Sequence, residues 1–124
     1  MKKLYLIAMT VCGLLLSQGS AWALNLDFTL KNTTGRVITG LYVSPHSSDK
    51  WGPDVLEDYV DNGGSVDVVF ARTANARYWD IKVEYNDGTS ITFTSGYNLS
   101  SIYFVRLGYD EDGRPTIYYT YRSA

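Results

Sequence analysis

Residues 78–94 read YWDIKVEYNDGTSITFT. Trp79, Ile81, Val83 and Tyr85 alternate with Tyr78, Asp80, Lys82 and Glu84. A period of two with one apolar face is the signature of a half-buried strand. Asn86-Asp87-Gly88 supplies residues that tolerate a tight reversal, and 89–94 returns with Ile91 and Phe93 on the apolar side. This hairpin predicts a β fold with Tyr78–Tyr85 at its centre.

The same period recurs outward from the hairpin. Leu24, Leu26, Phe28 and Leu30 alternate with Asn25, Asp27, Thr29 and Lys31. Asn32-Thr33-Thr34-Gly35 is turn chemistry and predicts a hairpin onto 37–44, with Val37, Leu41 and Val43 inward. Ser65–Phe70 places Val66, Val68 and Phe70 on one face. Downstream, 102–108 and 116–122 flank the turn residues 110–113. About seven short strands and no amphipathic helix predict an all-β fold, a single antiparallel β-sandwich. The longer connections 45–64 and 71–77 are where the chain is expected to change sheets. Pro53 at a first helical position allows one short helical turn at 53–57.

The first residues have a different character. Lys2-Lys3 precede an apolar run broken by Thr10 and Gly13, and Ala21-Trp22-Ala23 places small residues at −3 and −1. These features predict a secretory signal peptide cleaved after Ala23, leaving residues 24–124 as one domain. The apolar run is too short for a membrane anchor. A lipoprotein leader ending at Cys12 is the lesser alternative, because Val11 stands where a small residue is usual. The leader holds two lysines and no acid, so its loss moves the net charge from −2 to −4 and leaves no cysteine. The expected localisation is periplasmic or secreted. A mildly acidic domain without a Lys/Arg cluster argues against nucleic acid and anionic membranes as partners.

Chemistry-bearing patterns are sparse. His46 is the single histidine, so a His/Cys metal centre is excluded once Cys12 is gone. Ser44, Ser47, Ser48 and Asp49 crowd His46 in sequence, but a catalytic triad is a matter of geometry between distant segments. Residues 110–113, DEDG, start like a calcium loop that Arg114-Pro115 interrupts. Asp54, Glu57, Asp58 and Asp61 form a denser acidic group, more often a solvated loop than a calcium site. No catalytic residues, metal ligands or cofactor are expected, and the enzyme reading is the poorer one. Ten tyrosines follow the leader. If Tyr118 faces outward beside Tyr109 or Tyr103, the last hairpin presents an aromatic patch suited to sugar or peptide contacts.

The least featureless stretch is 38–56, ITGLYVSPHSSDKWGPDVL. A large aromatic beside Gly52 and Pro53 in a polar connection predicts a loop tied down by Trp51. With 32–37 it resembles a group of small exported bacterial proteins carrying Asn-x-Thr-Gly, then Leu-Tyr-Val-Ser-Pro, then Trp-Gly-x-Asp-x-Leu. Residues 78–88 resemble their later Tyr-Asp-x-x-Val-x-Tyr-x-Asp-Gly motif, with Trp79 at one Tyr position. The resemblance implies a secreted single domain without assigned activity. It also implies that Arg77 and Ser100 stand where related chains carry cysteines, so a disulfide there is absent.

The expected function is therefore a non-enzymatic, exported binding or envelope accessory module with a protein or carbohydrate partner. Its expected binding residues are Tyr42, Ser44, His46, Trp51 and Asp54. The alternative is a small calcium-dependent or hydrolytic module using the 44–61 loop.

Overall fold

The computed structural model describes residues 2–6, 25–71 and 74–122. Residues 7–16 of the apolar run, Cys12 and the proposed cleavage site lie in 7–24, outside the described residues, as do Arg72 and Thr73 of the second crossover. Eight strands form among the described residues: β1 (Lys2–Leu6), β2 (Phe28–Asn32), β3 (Ile38–Pro45), β4 (Ser65–Phe70), β5 (Tyr78–Tyr85), β6 (Ser90–Asn98), β7 (Ile102–Tyr109) and β8 (Pro115–Tyr121).

They make two sheets, one ordered β1-β4-β2-β7-β8 and the other β3-β5-β6. The three-stranded sheet is antiparallel throughout. The five-stranded sheet is mixed, with β1 parallel to β4 and β2 parallel to β7. The apolar faces of the two sheets meet in one core that includes Leu26, Leu30, Ile38, Leu41, Val66, Val68, Ile81, Val83, Val105 and Leu107. The all-β sandwich is as the alternation predicts, and 46–64 and 71–77 do carry the chain between sheets.

Four local readings need correction. Asn32–Gly35 is not a hairpin turn, because β2 pairs with β4 and β7 while β3 lies in the other sheet. It is instead a corner between sheets, held by a buried asparagine. Second, a bulge between Ile38 and Gly40 puts both Ile38 and Leu41 on the core side, displacing Val37 from it. Third, the helical turn allowed at 53–57 does not form. Asp54 Oδ1 accepts from Leu41 N at 2.9 Å and Leu56 N at 3.0 Å, and Val55 N donates to Leu41 O at 2.9 Å. Those bonds hold the segment extended along the outer edge of β3. Finally, β6 runs on past 94 to Asn98, through a bulge described below.

The sandwich has two distinct ends. Ile38 pairs with Tyr85 at one, and Pro45 pairs with Trp79 at the other.

At the first end, Asn32 is fully buried. Its Nδ2 donates to Arg36 O at 2.7 Å and Val60 O at 2.9 Å. Its Oδ1 accepts from Thr34 N at 3.0 Å and Thr34 Oγ1 at 2.7 Å. All four bonds open to a carboxamide are thus made. Thr33 N and Oγ1 both donate to Leu107 O, and Ile38 and Val60 exchange backbone bonds. Gly35, at φ 82°, takes a left-handed conformation that costs a Cβ-bearing residue more. The Asn-x-Thr-Gly pattern is therefore a lock between sheets.

Close by, Arg36 lies 4.4 Å over the Tyr85 ring, 3.1 Å from Asp87 Oδ2 and 3.1 Å from Tyr109 OH. Burial, then the neighbouring Tyr109, pushes the Tyr85 phenol up to about 12, with Arg36 pulling the other way.

Candidate functional site

At the opposite end a buried carboxylate meets a half-exposed imidazole. Opposite Asp80, three residues of β6 (Thr94, Ser95 and Gly96) bulge between the pairs Ile81–Phe93 and Trp79–Tyr97. Gly96 has φ 76° and turns its N–H onto Asp80 Oδ1 at 3.1 Å. The bulge explains why Asp80 is buried, contrary to the alternation that puts it on the wet face.

The same Asp80 Oδ1 lies 2.9 Å from Nδ1 of His46, whose side chain is 52% exposed. His46 is placed by its own N–H, which donates to Tyr78 O at 2.9 Å and carries β3 one residue beyond its pairing with β5. A Cβ on Gly96 would stand 3.0 Å from His46 Cγ, so glycine is what lets the imidazole lie against β6. The sequence brings His46 and Asp80 together from 34 residues apart, a pairing that the local crowd of serines did not indicate.

An aromatic surface adjoins this pair. Tyr97 follows Gly96 and meets Tyr119 of β8 edge-on, with ring centroids 6.0 Å apart. Tyr119 in turn meets Tyr121 at 5.3 Å. The row bridges from β6 in one sheet to β8 in the other, and Tyr119 and Tyr121 stay 42% and 59% exposed. Burial raises the Tyr97 phenol above its usual range, against an opposing hydrogen bond from Ser95, with the Asp80 charge adding to the rise.

The aromatic patch anticipated around Tyr118 is thus centred one residue away. Tyr118 itself lies beneath Arg106 at 4.1 Å and donates to Tyr109 O at 3.1 Å. Odd-numbered residues of β8 share the core-side register of Val105 and Leu107, and past Ile117 that side runs off the edge of the core. The signal available in sequence was the spacing Tyr119-x-Tyr121.

The expected binding residues divide between several roles. His46 is the one that sits at this exposed end in contact with Asp80. Ser44 is buried, and its Oγ accepts from Gly52 N at 3.0 Å, which ties the loop to β3. Asp54 secures the backbone of β3 as described. Trp51 is partly buried and stands outside the core cluster; the bonds that hold its loop come from Ser44, Asp54 and Val55. Tyr42 donates to Glu84 Oε1 at 3.0 Å under Lys82, and burial followed by Glu84 raises its phenol. Glu84 reaches this place because Gly40 has no side chain: a Cβ there would stand 2.7 Å from Oε1. These five residues do not converge on one point.

Among the described residues, no three His, Cys, Asp or Glu side chains gather as a metal site, and no helix is long and apolar enough to cross a membrane.

No protein-family model and no curated protein matches the chain. Among solved structures it is similar to an NMR structure of a protein from Eubacterium rectale. The TM-score is 0.54 at 13% identity, over 86% of this chain and 98% of that one. At that identity the likeness concerns the fold alone.

Proposed function

We propose that this chain is an exported, non-catalytic binding module that holds a carbohydrate on the Tyr97, Tyr119 and Tyr121 surface. The observation that carries the reading is the row of three tyrosines joining the sheets, with two rings exposed and the third, Tyr97, following the Gly96 that bonds Asp80. Aromatic faces take the apolar C–H faces of sugars, while Asp80 and His46 offer hydrogen-bonding groups for hydroxyls. Export is supported by the leader features and by the resemblance to small exported bacterial proteins.

A hydrolytic reading has one observation in its favour, the His46–Asp80 contact. Against it, Ser44 is buried and engaged with Gly52 N, and Ser48 Oγ donates to Lys50 O at 3.1 Å, so neither serine is bonded to the imidazole.

The test is affinity electrophoresis against peptidoglycan fragments and a panel of soluble polysaccharides. Tyr119→Ala combined with Tyr121→Ala should leave melting nearly unchanged and reduce retention on the bound glycan at least tenfold. Equal retention of both proteins, or retention of neither on any glycan, would overturn the carbohydrate assignment.

A further inference from the structure

The three-stranded sheet covers one of its edges with its own chain. Along β3 the outer backbone groups of Leu41 and Ile38 are taken by Asp54, Val55 and Val60. The corresponding edge of the five-stranded sheet is covered differently. There β4 is bonded on one side to β2 and on the other to β1, in the parallel register Lys2–Val66, Lys3–Asp67, Leu4–Val68, Tyr5–Val69 and Leu6–Phe70. The covering strand is the beginning of the chain, the same residues that read as the basic start of a leader. Removal of that leader would leave the β4 edge without a neighbour, and an unpaired edge is a template for another strand.

The edge also has a side pocket. A depression of about 330 Å³ lies on the outer face of β2 and β4, with Asp27, Thr29, Asp67, Val69 and Tyr103 among its lining residues. Asp67 and Val69 of this lining are the register partners of Lys3 and Tyr5. Strand addition gains affinity from main-chain bonds and specificity from pockets for alternate residues, and β4 offers both.

We propose that, in the processed chain, the β4 edge receives an extended segment of a partner protein, running parallel to β4. The segment carries a basic residue opposite Asp67 and apolar residues opposite Val68 and Phe70. A second copy of this chain fits less well, because two β4 strands meeting about their middles bring two Asp67 carboxylates together. The proposal depends on the export reading for the vacancy of the edge, and it is independent of the tyrosine surface, which lies on β6 and β8.

Among the described side chains, the buried hydrophobic residues of the core all fall between Leu26 and Leu107, so residues 24–124 retain them. The experiment titrates 15N-labelled 24–124 with a synthetic peptide of residues 1–8 as the probe strand. Saturable amide shifts should concentrate in Ser65–Phe70 and the residues of the depression. A peptide with Lys3→Glu should bind at least tenfold more weakly, and Asp67→Lys in the protein should restore its binding. Absence of shifts, shifts spread equally over β6 and β8, indifference to the charge exchange, or dimerisation through β4 without peptide would each overturn the proposal.

Should 24–124 fail to fold, the full chain with Cys12→Ser, Lys3→Cys and Asp67→Cys supplies the second measurement. An intramolecular disulfide should form on oxidation, and its absence would overturn the seating of a strand on β4. Failure of the export reading has a separate signature: intact mass of the cell-derived protein would show residues 1–23 retained, with the peptide titration unaffected.

Discussion

Asn32 at one end of the sandwich and His46 at the other are both polar residues next to β-strand termini, but their surroundings differ. Every hydrogen-bonding position of the fully buried Asn32 side chain is matched by a protein group. His46 has one short contact, to Asp80, and half its side chain faces solvent. A buried, saturated amide fixes a unique arrangement of the segments it joins. A half-exposed imidazole beside a carboxylate and a row of tyrosines keeps hydrogen-bonding capacity for something outside the chain. The difference separates the residues that make the fold from those available for binding.

The largest expected effect is at the saturated end. Asn32→Ala would leave the buried Thr34 N without its acceptor and remove one of the two donors from Val60 O and from Arg36 O, which keep Ile38 N and Thr34 Oγ1, at a summed cost of about 3 kcal/mol. Urea denaturation of the purified variant measures it. A loss under about 1 kcal/mol would mean that water or a backbone shift replaces the amide, and the contrast between the ends would weaken.

Much of this architecture was legible in the alternation of apolar residues, and its exceptions have identifiable causes. The period of two in Tyr78–Tyr85 located the buried Trp79, Ile81, Val83 and Tyr85 correctly. It misplaced Asp80, because the cause lies in the partner strand: three residues of β6 bulge opposite one of β5. Asn32-Thr33-Thr34-Gly35 has hairpin composition, yet it makes a corner between sheets. Local turn chemistry permits both, and the choice is made by Val60 and Leu107, distant in sequence. The candidate site was the least legible part. Local sequence around His46 holds no hint of Asp80, and Tyr97 and Tyr119 come from strands in different sheets.

The open end can also be tied artificially. Arg77 Nη1 donates to Ser100 Oγ at 3.3 Å, and Leu99 N donates to Arg77 O at 3.2 Å, so the positions that the resemblance pairs as cysteines do meet. Arg77→Cys with Ser100→Cys, in a chain with Cys12→Ser, should form a disulfide and stabilise the oxidised form by about 2–4 kcal/mol. Melting with and without reductant reads the gain. If the two melts coincide, this contact is too loose to crosslink, and the disparity in rigidity between the ends is greater than the hydrogen bonds indicate.

The smallest expected effect is the most discriminating. His46→Ala removes a half-exposed ring, while Asp80 keeps its bond from Gly96 N, so the change should cost no more than about 0.5 kcal/mol. Gly96→Ala should cost more, for two separable reasons. The φ of 76° disfavours any residue with a Cβ by about 1–2 kcal/mol, whatever surrounds it. The added methyl would also stand 3.0 Å from His46 Cγ and 3.1 Å from its Nδ1, so the imidazole must move. Only the second cost depends on His46. In a double-mutant cycle, Gly96→Ala should therefore be milder by about 0.5 kcal/mol or more in the His46→Ala background, since residues in contact do not add. Strict additivity would place the imidazole away from Gly96 in solution. His46 would then be a mobile side chain, and Asp80 and the tyrosines alone would remain to form the binding surface.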